Sequence, residues 1–396
     1  MSGPLSEVKI LDLTSVVMGP YATQIFGDMG AEVIKIESPQ GDIMRHMGVS
    51  RNKAMGPIHL AVNRNKKSVV LDLRTEAGHA AVLRLIQDVD VIVHSMRATA
   101  IERLGLGYEQ VKKHNPEIIY CGAYGFSSNG PYADDAAYDD IIQGLCGLAS
   151  VNGFLAEEPR FTPTIIGDKV AGLIAAQSIL AALFHKARSG EGQQIEVPMF
   201  EALTSFMLVE HLGGKVFDME HGEPGYERVL SQLRKPHRTK NGYACVLPYT
   251  DKNWKDFFSE AGRPELATDP RYISATSRSQ NYETLYSLLG SIMAERTTEE
   301  WLTTLKPLSI PIARVNSLED LFVDPHLAAV GMFVQHEHPS EGTINQVQPP
   351  VRFSRTPCAI KRLAPRLGEH SHEVLTGAGF TEREIEILAN AGVTVA

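Results

Sequence analysis

Along the first 130 residues, short apolar runs alternate with stretches whose apolar positions recur every three or four residues. Residues 8–14, Val-Lys-Ile-Leu-Asp-Leu-Thr, form a brief apolar run with a polar end, the mark of a strand. Pro20 then stands at a favoured first helical position and Gly30 at a favoured stop, which predicts a helix over 19–30. Residues 32–37 read as a second strand. A short third strand lies between the basic stretch 63–67 and Arg74. Helical 76–87, strand 89–94, a helix around 100–114 and strand 117–122 follow. Strands separated by helices of this length make a parallel sheet with right-handed crossovers. The expected class is α/β with a Rossmann-like sheet. Ligands in such sheets bind beyond the carboxyl ends of the strands. That rule directs attention to the loops 14–19, 37–45, 95–97 and 122–128.

Beyond this layer, residues 169–188 form a long Ala-rich apolar segment, a buried helix stopped by Gly190. Strand 194–198 and helix 200–212 follow. From about residue 217 the character changes, and the Gly/Pro-containing and basic stretch 217–240 reads as a linker. A strand at 242–248 and helices at 254–261, 282–294 and 298–305 predict a smaller α+β domain. Residues 331–365 are extended and Pro-rich, and the last 30 are helical. The expected division is 1–216 for the amino-terminal part of a large domain, 217–240 for the linker, 241–325 for the small domain and 326–396 for a return to the large one.

Composition narrows the classes. With 43% hydrophobic and 21% charged residues, the 396-residue chain matches globular averages, which excludes disorder and coiled coil. No run approaches the roughly 20 unbroken apolar residues of a membrane span. The first residues lack a basic and then apolar signal pattern, so a cytoplasmic protein is expected. A net charge of −9 argues against general nucleic-acid binding. The four cysteines are scattered without CxxC, which indicates neither a disulfide framework nor a zinc site. The pairs His336/His338 and His370/His372 read as solvated surface, so no metal is expected. The turn after the first strand, Ser15-Val-Val-Met-Gly-Pro20, is not GxGxxG, and there is no GxxxxGK[ST] or GxSxG.

Gly167-Asp168 is the most informative spot. A β-branched, Pro-containing run (161–166) delivers the chain into Gly-Asp, and the long helix starts at once. One reading makes Asp168 the helix N-cap. The other makes it a carboxylate shielded where an apolar strand meets an apolar helix. Near its usual pKa such a group is ionised at neutral pH and needs no general base to act as a nucleophile. That suits acyl transfer from an activated acyl group such as a thioester. A second constellation is basic. Arg45, Arg64, Lys66, Lys67, Arg74, Arg97 and Arg103 fall near the ligand-binding edge, where they suit a phosphate-rich ligand or else form a solvated face.

Several stretches carry a resemblance. They are Ile10-Leu-Asp-Leu-Thr14 with Gly19-Pro20, Gly30-Ala-Glu-Val-Ile-Lys-Ile-Glu37, Gly41-Asp42 with Arg45, and the run 63–73. Leu104-Gly-Leu-Gly-Tyr108, 115–121, Gly125-Phe126, Tyr138-Asp139, Gly167-Asp168 and Gly190-Glu-Gly-Gln193 continue it, and Asp324-Pro-His-Leu327 and Leu367-Gly-Glu-His370 complete it. Over nearly its whole length the chain resembles the class III coenzyme A transferases, the group that includes formyl-CoA and carnitine-CoA transferases. The resemblance implies a Rossmann-like large domain built from both chain ends, a small middle domain and an interlocked homodimer. It places the nucleophile on Asp168, which attacks an acyl-CoA to give an aspartyl anhydride. An aspartyl-CoA thioester follows, and a small carboxylic acid receives the CoA. Coenzyme A is then a substrate, and no tightly bound cofactor or metal is required. The loops that contact CoA fall on Val17, Met18, Leu71, Asp72, Leu73, Arg74, Ser95, Met96, Arg97, Arg103, Ala136, Ala137, Tyr138 and Asp139, with Arg103 the foremost phosphate partner.

The chain also departs from its relatives. Val17 stands where formyl-CoA transferase has Gln, and Met96 where carnitine-CoA transferase has Lys, with Arg97 adjacent. A glycine-rich active-site loop is missing, Gly222-Glu-Pro-Gly225 being the nearest stretch. These departures argue against oxalate or formyl specificity. The sister activity, α-methylacyl-CoA racemisation, needs an acid/base pair across the α-carbon. Racemase relatives supply a His where Tyr138 stands, and a tyrosine is a poor base at neutral pH. A non-catalytic acyl-CoA-binding protein would tolerate loss of Asp168, which is retained. Arg234, His237 and Arg238 lie in the stretch that comes near the active site in relatives. They suggest an acceptor with a distal carboxylate, a dicarboxylate of the succinate, itaconate or mesaconate kind.

Overall fold

The computed structural model describes residues 3–154 and 158–395. Six strands form one sheet: β1 (Lys9–Leu13), β2 (Glu32–Glu37), β3 (Lys66–Val70), β4 (Val91–His94), β5 (Ile119–Tyr124) and β6 (Gln194–Pro198), in the order β3-β2-β1-β4-β5-β6. Every neighbouring pair is parallel. This is the doubly wound Rossmann order, whose chain direction across the sheet reverses between β1 and β4. The parallel α/β sheet expected from the alternating pattern is present. Leu11, Ile92, Val69 and Tyr120 are at most 1% exposed on the sheet, packed with Val82 and Ile86 of the helix Glu76–Ile86 and with Leu375 and Ile385 from the chain's end. Each such side chain contributes about 1.5–3 kcal/mol by leaving water.

Local chemistry explains the differences from expectation. The helix foreseen around 100–114 is two, Ala98–Arg103 and Tyr108–His114. Gly105 at φ 68° ends the first, a left-handed residue that an unbroken helix excludes. Short helices at Pro57–Val62 and Asp139–Leu145 carry too few turns for a visible period. The Ala-rich helix is Ile166–Ser189 and is long and apolar enough, by composition, to cross a membrane. Here its small residues Ala171, Gly172, Ala175 and Ala176 are buried, and it packs closely against the helix Met18–Asp28. The extended stretch after 331 forms an antiparallel hairpin of Phe333–His338 and Gly342–Val347.

The chain divides into two compact units. The first holds the parallel sheet, with 160–208 and the carboxyl-terminal part from Ala329. The second comprises Val151–Pro159 and Val209–Ala328. Residues 217–240, expected as linker, belong to this second unit. They include the helix Glu227–Leu230 and strand β7 (His237–Arg238), which pairs antiparallel with β8 (Tyr243–Val246). The third strand, β9 (Ile312–Arg314), joins β8. Trp254, Phe257, Phe258, Leu289, Ile292 and Trp301 fill the core of this unit. Capping boxes at Thr250 and Thr297 start the helices Asp251–Glu260 and Thr298–Leu305.

Candidate active site

Asp168 is the third residue of its helix, not the N-cap. Residue Ile165 holds the cap position and offers no side-chain acceptor. The capping is done from elsewhere in the first unit. Asp139 Oδ1 accepts the N–H groups of Gly167 at 2.6 Å and Asp168 at 3.1 Å. Gln143 Nε2 donates to the other Asp139 oxygen at 2.6 Å. A carboxylate at a helix start complements both the orphan donors and the macrodipole. Spent this way, the Asp168 backbone leaves its side chain free. Oδ1 of that side chain accepts the Met18 N–H at 3.0 Å, and Oδ2 has no hydrogen-bond donor among the described residues. The residue is 7% exposed.

Burial pushes the Asp168 carboxyl up to about 6, and the neighbouring Asp139 carboxylate adds to this, while the Met18 N–H pulls the other way. At pH 7 such a group is still about nine-tenths ionised. It is thus a poorly solvated anion with one oxygen held and the other uncommitted. Both properties favour nucleophilic attack.

Met18 is aimed by the turn after β1. Val16 sits at φ 69°, a left-handed conformation rare for a β-branched residue. What holds it there is buried charge. Asp42 Oδ1 accepts the Val16 N–H at 3.2 Å, and Lys35 Nζ reaches Asp42 at 3.1 Å and the Thr14 carbonyl at 2.7 Å. Asp12 accepts from Thr14, from Thr23 Oγ1 at 2.6 Å and from Lys66 Nζ at 3.0 Å. Asp12, Lys35 and Lys66 are all 0% exposed. Desolvation opposes ionisation of Asp12, but the Lys66 and Lys35 ammonium groups outweigh it and hold the carboxyl far below its usual range. Strain at a turn persists when its surroundings over-determine it, and such turns cluster at functional sites. A close helix contact completes the geometry. Gly172, one turn beyond Asp168 on the same face, lies so near Met18 that a Cβ would stand 2.7 Å from the Met18 carbonyl oxygen.

These elements frame a cavity of about 230 Å³ at the reversal of the sheet. Ser15, Val16 and Met18 come from the loop after β1, Ser95 and Arg97 from the loop after β4, and 123–126 from the end of β5. Ala133, Asp135, Ala136, Ala137 and Tyr138 close one side, with Asp168 and Met199. The Ser15 N–H donates to Ser95 Oγ at 3.1 Å and ties the first two loops together. Of the residues singled out from the sequence, Met18, Ser95, Arg97, Ala136, Ala137, Tyr138 and Asp168 meet here.

Others do not. Val17 is 4% exposed and packed inward, since Val16 takes the cavity-facing place. Leu71 is 1% exposed in the sheet core, and Leu73 and Met96 pack against that core. Asp72 and Arg74 are engaged with each other, Nε to Oδ1 at 2.9 Å. Asp139 caps the Asp168 helix instead of lining the cavity. Arg103 lies at the exposed end of its helix, off the lining.

Part of the basic constellation is internal: Arg45, Arg64 and Lys66 are buried and Lys67 half-buried, while Arg74, Arg97 and Arg103 are exposed. Arg45 forks onto Glu37 at 2.7 Å, Arg64 onto Asp28 at 2.7 Å, and Lys67 joins Glu32 at 2.6 Å. Alternation along β2 and β3 puts Lys35, Glu37, Lys66 and Ser68 on one buried face, which a list of basic residues cannot reveal. Sequence reasoning missed Val16, Asp42 and His94. His94, at the end of β4, is 0% exposed, with its ring 5.0 Å from Tyr120 and 5.5 Å from Tyr124. Burial draws its pKa down to about 4.

Comparison with known proteins identifies the family. Residues 5–371 match the model of CoA-transferase family III. An acyl-CoA transferase of Fusarium pseudograminearum is 33% identical over 99% of this chain and 88% of its own length. The succinate–glutarate CoA-transferase of Agrobacterium fabrum is 31% identical over 96% of this chain and 97% of its own. A crystal structure of a CAIB/BAIF family protein from Brucella suis superposes with a TM-score of 0.81 at 29% identity, covering 96% of this chain and all of that one. The six-stranded parallel sheet, the buried carboxylate at its reversal point and the match across nearly the full length together place the chain in CoA-transferase family III, as a CoA-transferase that works on CoA thioesters.

Proposed function

We propose that this enzyme moves coenzyme A from an acyl-CoA donor to a small dicarboxylic acid, with Asp168 as the covalent nucleophile. The single observation that carries the reading is the Asp168 carboxylate on the cavity wall, one oxygen held by the Met18 N–H and the other without a hydrogen-bond donor among the described residues. In the first step Asp168 Oδ2 adds to the thioester carbonyl carbon. The C–S bond breaks, giving an aspartyl acyl anhydride and CoA thiolate. The thiolate attacks the aspartyl carbon and releases the donor acid, leaving an aspartyl-CoA thioester. A carboxylate oxygen of the acceptor displaces the thiolate to form a second anhydride. Attack of the thiolate on its acceptor carbon yields the new acyl-CoA and regenerates Asp168. No proton needs to be removed at any step, consistent with a nucleophile already ionised at pH 7.

Arg97, exposed on the cavity rim, is suited to hold the far carboxylate of the acceptor. The relative from Agrobacterium acts by its name on succinate and glutarate, both dicarboxylates, which supports the acceptor class. Against racemisation, the residues lining the cavity besides Asp168 include Tyr124, Tyr138 and the exposed Asp135 but no histidine. Tyr124 is held up at about 12 by burial first and by nearby Glu196. We further propose that the working form is a homodimer. The second unit exposes the large apolar side chains Phe217 (92%), Val209 (82%), Val323 (78%) and Leu318 (76%), which a partner copy could cover.

The test is mass spectrometry of the protein incubated with a panel of acyl-CoAs and hydroxylamine. A hydroxamate mapped to Asp168 is expected, absent in Asp168→Asn. No adduct with any donor, together with deuterium exchange at the α-carbon of a branched acyl-CoA, would replace this reading with racemisation.

A further inference from the structure

The second unit contains a cavity of about 490 Å³ whose lining comes wholly from residues 226–289. Its charge has one sign. Arg228, Arg234, Lys235 and Arg278 reach the wall, and no aspartate or glutamate does. Arg278 is already neutralised, paired with Asp251 and donating to the Tyr272 carbonyl at 2.7 Å. The other three have no carboxylate within ion-pair distance among the described residues. Arg228 is nonetheless fixed in place. Its Nε donates to the Tyr286 hydroxyl at 2.7 Å, and its guanidinium lies 5.8 Å from that ring. A phenol orients a guanidinium without cancelling its charge, and Tyr226, the other hydrogen-bonding neighbour of Arg228, is likewise neutral. The rest of the wall is mainly apolar and aromatic and includes Trp254, Tyr249, Tyr282 and Leu285, with His237 and Ser279 as polar members.

Three uncompensated cations around one low-polarity cavity repel each other, and an anion among them removes that repulsion. Water alone could satisfy Arg234 and Lys235, which are exposed. It does not account for a guanidinium pinned by a phenol beside an aromatic wall. We propose that this cavity is a binding site for a small organic anion with two or more negative charges on a flat body. The head would sit among Arg228, Arg234 and Lys235, and the body against Trp254 and the tyrosines. A carboxylate and a phosphate head share this chemistry, and arginine forks bind both.

The test uses the full chain and isothermal titration with three probes: isophthalate, adenosine 5′-monophosphate and inorganic phosphate. Saturable binding of at least one of the two flat anions is expected, tighter than that of inorganic phosphate and weakening as salt rises. The tighter of the two identifies the head as carboxylate or phosphate. Arg234→Ala with Lys235→Ala should raise Kd at least about tenfold, whereas Lys255→Ala, an exposed cation off the lining, should not. Arg228→Gln tests the pinned guanidinium separately, with the melting temperature as folding control. The proposal is overturned if neither flat anion saturates below about 10 mM, a limit near the weakest specific affinities. It is equally overturned if Lys255→Ala weakens binding as much as the double variant, or if inorganic phosphate binds as tightly as the flat anions.

Discussion

A carboxylate that the fold makes harder to ionise leaves a mark on stability as well as on rate. The Asp168 pKa rises from 3.8 to about 6, so the folded chain holds this proton more tightly than the unfolded one. The group therefore favours folding below about pH 4, and that contribution is lost as pH rises through 6. Above it, the buried anion opposes folding by roughly 3 kcal/mol, taking 1.36 kcal/mol for each pH unit. Asp168→Asn keeps the acceptor for Met18 without the charge. It should melt above the native protein at pH 7, match it near pH 4 and show no turnover, which calorimetry at the two pH values checks. Asp139 acts through Asp168. Asn at position 139 can still accept the Gly167 and Asp168 N–H groups but carries no charge. The acid limb of kcat should then move to lower pH while KM changes little. Asp139→Ala loses the cap as well, about 1 kcal/mol of stability in urea melts. An acid limb unchanged in Asp139→Asn would remove the electrostatic link between the two carboxylates.

The first strand, its turn and the following helix act as one positioning device. Asp12, Lys35, Asp42 and Lys66 lie under the turn and hold Val16 in its left-handed conformation. Removing one member leaves its partner charged and dry, which costs about 3–5 kcal/mol. Lys66→Met is therefore expected to lower the urea midpoint strongly. Asp42→Asn keeps most of the volume but weakens the hold on Val16. It should reduce kcat more than it raises KM, because Met18 and Asp168 lose their alignment. The same pairs predict an acid limit. Arg45, hydrogen-bonded at the carboxylate, and Lys35 overcome burial and hold Glu37 down at about 2, and Asp12 is lower still. A depressed carboxylate stabilises the fold above its unfolded pKa, and this is lost as pH falls toward the folded value. Urea midpoints should thus fall steeply between pH 4 and 2. At this scale the sequence was legible in type and not in role. Lys35 and Lys66 are visible as basic residues, but only strand register shows them inside, facing Asp12 and Asp42.

At the scale of the whole chain, homodimerisation is the expectation to measure first. Sedimentation should give twice the chain mass, and Phe217→Ser with Val323→Ser should shift the equilibrium toward the single chain. A single-chain mass for the native protein would count against the dimer. The alternation of apolar runs and helical periods, read along the chain, was enough for a parallel α/β sheet, because the crossover rule leaves few other arrangements. The Gly-Asp at the head of the Ala-rich helix stood out because a carboxylate between an apolar run and an apolar helix is conspicuous in one dimension, although the run itself, 161–165, is an irregular segment and not the strand that reading supposed. What lies across the fold could not be read there. Asp139 as cap for a helix 27 residues later, Val16 as cavity wall in place of Val17, and Leu71 as core depend on long-range packing and on which face each residue turns. The aromatic and basic cavity of the second unit is likewise assembled from segments dozens of residues apart. Local periodicity determined the elements of this protein; burial, charge pairing and the close approach of Gly172 to Met18, which exist only in three dimensions, decided where its chemistry stands.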